Sequence, residues 1–269
     1  MHIYILEVKD NQMLLECRNL ICGYGKRPGE NPVIKDISFG VNEGESIAVL
    51  GANGCGKTTL IKTLAGMLSY DGSILLSNRE VRNLKRKDIA KKISVMMQFS
   101  DIYFSYTVEE TVMLGRYLYS GNVFGIANSR DKEIVDKSLR EYGLEDIRNR
   151  QISQLSGGQL QRVFLARTMA QDTDIIILDE PTNHLDLKYQ SEFLSYLSDW
   201  KKESQKHTLI GVFHDINIAL EAADKLILLK DGNILADGSK EELIKSKYLT
   251  DTFDIDVKQY MKKQYSHWI

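Results

Sequence analysis

Apolar and polar residues alternate over residues 13–24 and again over 33–50, the two-residue period of half-buried strands. Between them, Gly25 to Pro32 is rich in Gly, Asn and Pro punctuation. The pattern predicts a first β-layer joined by hairpin-like loops. Glu45–Leu50 ends in a short apolar run that reads as a buried strand, and Lys57–Met67 places Leu60, Leu64 and Met67 on one helix face. Asp71-Gly72 marks a turn into a strand over Ser73–Leu76, and Lys92–Met97 reads as another strand.

From Thr107 to about Ala170 the period changes and the chain becomes helical. Thr107 and Glu110 have the spacing of a capping box, in which each side chain takes the other's backbone N–H. Asp131 can start a second helix with Val135, Leu139 and Tyr142 on one face, stopped by Gly143. A third helix begins near Gln159. The strand–helix rhythm returns with the apolar run Ile175–Leu178, a helix carrying Phe193, Leu197 and Trp200, and a strand over Thr208–Phe213. A short helix to Ala223 and two strands around Asp231-Gly232 follow, then a second capping box at Ser239 and Glu242. Beyond Tyr248 a small terminal helix is the most that can be read. Alternating strands and helices interrupted by a helical block predict an α/β sheet with a helical insert.

One loop in this frame carries chemistry. Gly51, Ala52, Asn53, Gly54, Cys55, Gly56, Lys57, Thr58 and Thr59 lie between a buried strand and a helix, the setting a G-x-x-x-x-G-K-[ST] pattern needs. Glycines 51, 54 and 56 let successive amides turn inward as an anion nest, and the helix behind adds its positive end. Lys57 can reach the outer phosphates of a nucleotide, and the Thr58 hydroxyl can ligate magnesium. A chance match is expected in roughly one chain in a hundred of this length, before the flanking strand and helix are counted.

Ile175–Leu178 then delivers Asp179 and Glu180 to the carboxyl end of a buried strand, where open α/β sheets bind ligands. Asp179 is placed to hold the magnesium, directly or through water, and Glu180 to orient and deprotonate an attacking water. Leu155, Ser156, Gly157, Gly158 and Gln159 open the third helix as a second anion-binding geometry, without a lysine, suited to completing a site.

Bulk properties narrow the classes. The chain has 269 residues, 43% hydrophobic and 27% charged, with net charge −2. That is ordinary for a soluble globular protein and gives no overall pull toward nucleic acid or acidic lipid. No apolar run approaches the ~18 residues of a membrane span. Met1–Glu7 has neither the length nor the charges of a signal peptide. Cys17, Cys22 and Cys55 form no metal-spaced pair, so a cytosolic setting is expected.

Taken together, Gly51–Thr59, Gln98 after a strand, Leu155–Gln159, Ile175–Glu180, Asp186 and His214 resemble, in order and over nearly the whole chain, the motif set of ATP-binding cassette ATPases. The resemblance implies a P-loop NTPase core, a mixed sheet with an antiparallel β-layer, and an inserted α-helical subdomain. On that pattern residues 1–98 and 172–250 form the RecA-like core with its β-subdomain, 99–171 the helical subdomain and 251–269 a C-terminal tail, together one cassette. It implies ATP and Mg2+ as cofactors and a head-to-tail homodimer. Each ATP would lie between one chain's phosphate loop and the other's Ser156–Gln159.

Roles follow by matched position. Tyr24 resembles the aromatic that stacks on adenine. Gln98 would sense magnesium and the attacking water, and Phe99, Tyr103, Phe104 and Tyr106 would face a membrane partner. Asp186, in His184-Leu185-Asp186, would sit at the dimer seam, and His214 would contact the γ-phosphate or its water. Lys57, Gln98, Glu180 and His214 form the catalytic set; Thr58, Gln98 and Asp179 form the metal set. Cys55 departs from the family's usual serine. Beside Lys57 in an empty nest it is either a thiol of lowered pKa, open to oxidation, or a small side chain turned away.

The resemblance implies the ATPase subunit of an importer whose transmembrane permease subunits are separate chains. A substrate-binding protein would act indirectly, no nucleic acid would be bound, and the location would be peripheral, on the cytoplasmic face of the membrane. Tyr106–Tyr117, Glu141–Leu144 and Phe213–Asn217 look like the uptake systems for iron chelates, haem and cobalamin. The alternatives are an exporter's ATPase subunit and a non-transport cassette acting on nucleic acid or ribosomes.

Overall fold

The computed structural model describes residues 13–25, 27, 29–97, 105–119, 128–183 and 185–266. Two sheets organise it. The first is antiparallel in order β2-β1-β4-β5, formed by β1 (Met13–Gly23), β2 (Pro32–Asn42), β4 (Tyr70–Leu76) and β5 (Arg79–Glu80). The second has order β10-β9-β3-β8-β7-β6, from β3 (Ser46–Leu50), β6 (Ile93–Met96), β7 (Ile175–Asp179), β8 (Thr208–Val212), β9 (Lys225–Lys230) and β10 (Asn233–Ser239). Its neighbours pair in parallel except β10, which runs antiparallel to β9.

Every residue of β3, β7 and β8 is buried, as continuous apolar strands covered on both faces must be. One face meets the antiparallel layer and α1 (Lys57–Leu64) in a shared core that includes Leu15, Ile34, Leu60 and Ile177. The other face packs on α3 (Val108–Met113), α4 (Ser129–Glu141), α5 (Gly157–Ala170) and α6 (Leu187–Glu203), with Val112, Leu139, Phe164, Ile176 and Phe193 in one cluster. Among the described residues the helical block therefore shares its core with the sheet. A third cluster joins Leu50 and Phe213 to α7 (Ile216–Ala222), α8 (Lys240–Lys245), α9 (Tyr248–Phe253) and α10 (Val257–Tyr265). The remaining helix, α2 (Arg86–Ala90), precedes β6.

The elements follow the sequence pattern, with corrections. Residues 46–50 leave the first β-layer and become a central strand of the parallel sheet. The phosphate-loop helix ends at Leu64, and Met67 is exposed rather than on its buried face. Asp71-Gly72 is not a turn: both residues lie within β4, opposite a break in the register of β1 between Arg18 and Ile21. A bulge and a turn use the same residue types. Helix α4 starts two residues before Asp131, capped by Asn128, and Asp131 is the reciprocal arm of that capping box. The Thr107–Glu110 box forms in both directions, and Ser239 accepts from the Glu242 amide. The tail holds two helices rather than one.

Candidate nucleotide site

The carboxyl ends of four parallel strands meet along one edge of the sheet. Strand β3 runs into Gly51, β7 into Glu180, β8 into Phe213 and His214, and β6 into Met97. Register places Val49 beside Val212 and Val212 beside Asp179. The Glu180 amide donates to the Val212 carbonyl at 2.9 Å, locking the acidic pair to the strand that presents His214.

The phosphate loop begins at Gly51, where a Cβ would collide with the Leu229 carbonyl and the Cys55 sulfur. Gly56 takes φ +110° as the N-cap of α1, and no side chain among the described residues caps the helix. By contrast Thr107, Asn128, Ser156 and Asp186 cap α3, α4, α5 and α6 with side-chain oxygens. The first-turn amides of α1 are thus left for an anion, with the helix dipole behind them. Lys57 is buried, and its ammonium donates to the Gly51 carbonyl at 2.9 Å and the Ala52 carbonyl at 3.1 Å. Ala52, Asn53 and Gly54 are exposed at the crest.

At the foot of the loop the Thr58 hydroxyl donates to Asp179 Oδ1 at 3.1 Å. Asp179 is buried, and its Oδ2 has no hydrogen-bond partner among the described residues. Burial pushes the Asp179 carboxyl above its ordinary value, against the lowering effect of the Thr58 bond. A buried carboxylate with one oxygen unmet, beside a hydroxyl, fits a hard divalent cation such as Mg2+. Among the described residues no group of three or more His, Cys, Asp or Glu could hold a metal. Phosphate oxygens and water would complete the shell.

Glu180 has φ +50°, a left-handed conformation uncommon for a glutamate and found at strained functional positions. Its Oε2 accepts from the Asn183 amide. His214 is exposed and lines a cavity of about 540 Å³ with Gly51, Ala52 and Asn53 on one side and Tyr260 and Met261 of α10 on the other. Tyr24 is exposed at the end of β1, its hydroxyl 3.4 Å from Thr59 Oγ1 and its ring 5.9 Å from the Lys62 ammonium. An open aromatic face beside the loop helix is a fit surface for a purine. The Thr59 hydroxyl is taken up by Tyr24.

Ser156, Gly157, Gly158 and Gln159 are not among the residues lining the cavity against Gly51–Asn53. The Ser156 hydroxyl accepts from the Gln159 amide at 3.3 Å, and Gln159 Oε1 accepts from the Ser156 amide at 3.1 Å. Asp186 caps α6 by accepting from the Tyr189 amide at 3.0 Å. Gln98, with Phe99, Tyr103 and Phe104 after it, and His184 lie outside the described residues. For Cys55 the lowered pKa is corrected: burial pushes the thiol up, outweighing the Lys57 charge, and its sulfur packs against Gly51 inside the core. Asn183 carries no motif of its own in the sequence; its only signal is an amide three residues after Glu180, across the Pro181–Thr182 turn.

The family model described as ABC transporter matches residues 34–183, a span that opens in β2 and closes at Asn183. The chain belongs to the ABC transporter family. It is the family's ATP-binding, ATP-hydrolysing subunit, and cassettes of this kind bind ATP or ADP. The cassette is 36% identical over 91% of its length to the petrobactin import ATP-binding protein FpuD of Bacillus anthracis, covering 88% of that protein. It is 35% identical over 90% of its length to the iron(3+)-hydroxamate import ATP-binding protein FhuC of Bacillus subtilis (strain 168), again covering 88%. Its structure also matches the dimeric post-hydrolysis state of the cassette MJ0796 bound to ADP and Pi. That match has TM-score 0.72 and 28% identity, covering 84% of this chain and 98% of that one. Among the described residues no helix of the cassette is long and apolar enough to cross a membrane.

Proposed function

We propose that the cassette powers an importer of the iron-chelate class, with its transmembrane permease subunits on separate chains and its own place at the cytoplasmic face of the membrane. The observation that carries the ATPase half is the uncapped start of α1 with Lys57 beneath it and the Thr58–Asp179 pair at its foot. Support for import of a metal chelate comes from the relatives named for petrobactin and iron(3+)-hydroxamate import.

In this reading the amides from Gly54 to Thr58 grip the β- and γ-phosphates, and Lys57 exchanges its bonds to Gly51 and Ala52 for phosphate oxygens. Tyr24 stacks on the base. Thr58, Asp179 and Gln98 would hold Mg2+, which when bound would neutralise charge on the phosphates. Glu180 takes the proton of the attacking water, a contribution of about 10²–10⁴-fold. His214, one strand away, holds the γ-phosphate or that water. Ser156–Gln159 and Asp186 of a second copy close the site, making the active form a homodimer. Leu187, 84% exposed next to Asp186, is an apolar side chain such a seam would cover.

The test is purification of the tagged cassette from detergent-solubilised membranes, followed by reconstitution in vesicles. Transmembrane subunits should co-purify, and the reconstituted complex should carry a ferric siderophore inward only with hydrolysable ATP. Recovery of ribosomes or nucleic acid instead, or outward movement of substrate, would contradict the reading.

A further inference from the structure

We propose that Asn183 is a positioning residue for hydrolysis, holding one oxygen of Glu180 so that the other faces the attacking water. The inference rests on Glu180 being the general base, as above. Glu180 leaves β7 in a left-handed conformation, φ +50°, with its amide fixed to Val212 at 2.9 Å. The chain then turns through buried Pro181 and Thr182, and the Asn183 amide N–H returns to the Glu180 carbonyl at 3.3 Å. That closed turn brings Asn183 Nδ2 onto Glu180 Oε2. The backbone alone sets the direction of Cα–Cβ; three further torsions of a glutamate remain free. The Asn183 bond removes that freedom and makes the two carboxylate oxygens inequivalent.

A base that must take a proton from a water in line with the γ-phosphate gains from such restraint. Small misplacement of a reacting group costs up to about 10²-fold in rate. Asn183 is suited to this because its amide donates without carrying charge. A lysine or arginine there would lower the basicity of Glu180 or pair with the phosphate, and an aspartate would repel the base.

The experiment is a double-mutant cycle on the full chain, measuring ATPase turnover and ATP KM. Asn183→Ala should lower kcat about 10–100-fold while ATP KM stays within about twofold. Asn183→Asp, which keeps the shape of the side chain and reverses its role, should lower kcat at least as far. In a Glu180→Gln background, adding Asn183→Ala should change the residual turnover by less than about twofold, because the group that Asn183 serves is already gone. ATP-driven dimerisation of that double variant serves as the check that the turn still folds.

Unchanged kcat in Asn183→Ala overturns the proposal, as does an equal loss with and without Glu180. If Glu180→Gln itself turns over at the normal rate, the assignment of the base fails. That result is distinct, because it does not depend on Asn183.

Discussion

Asp179 shows how burial acts on a carboxylate at a strand end. Burial holds its carboxyl above the ordinary value, and one oxygen has no partner among the described residues. A raised carboxyl adds stability below the unfolded-state value and loses it as pH rises through the folded one. In the metal-free protein Asp179 therefore takes away stability as pH rises. Asp179→Asn should raise the melting temperature of nucleotide-free protein in chelator at pH 7 by a few degrees, for about 1 kcal/mol. The gain should shrink toward pH 4, and ATPase activity should be lost throughout. A lower melting temperature at pH 7 would show that the carboxylate is stabilised in some other way. The same physics corrects Cys55: beside a lysine its thiol invites a thiolate reading, but desolvation is the larger effect.

Among elements, the informative contrast is between capped and uncapped helices. Side-chain caps are legible at Thr107 and Ser239 because the spacing to Glu110 and Glu242 marks them; at Ser156 the same spacing to Gln159 is overshadowed by the two glycines between them. Asn128 was passed over because Asp131, its partner in the box, is itself a plausible first residue. Met67 was misread because a three-point period continues past the end of a helix when the chain stops turning, here in the last turn after Leu64. Asp71-Gly72 has the composition of a turn, and only the partner strand shows that it lies inside one.

The same β-layer holds a polar cluster that no local pattern announces. Burial favours a neutral Glu80, but bonds from Ser73, Tyr70 and Arg82 outweigh it and hold the carboxyl at about 2. A depressed carboxyl contributes stability above its ordinary value and loses it as pH falls through the folded one. Glu80→Gln should cost about 1–3 kcal/mol at pH 7 in denaturant unfolding. The difference from the native chain should close between the ordinary value of 4.5 and about 2. A pH-independent difference would assign the loss to packing.

On the scale of the whole molecule, loop and acidic pair are legible because each follows a buried strand, and parallel strands deliver their ends to one edge; His214 enters only by its matched position in the family resemblance. What the chain did not reveal is how its layers share cores. The helical block and α6 bury one common cluster against the sheet. The terminal helices pack on residues adjoining the phosphate loop and His214, with Val257 in the cluster of Leu50 and Phe213. Such contacts join residues remote in sequence, and no periodicity encodes them. Within one chain Ser156–Gln159 does not line the cavity at the loop's crest; in the proposed composite site a second copy supplies it.

That composite site is tested most directly by light scattering on the Glu180→Gln chain with ATP and magnesium. A monomer should become a dimer on adding ATP, and a second substitution, either Lys57→Ala or Ser156→Arg, should leave it monomeric. Lys57→Ala should also lose ATP binding itself. A Glu180→Gln chain that stays monomeric at saturating ATP, or that dimerises equally well without Lys57, would contradict the account.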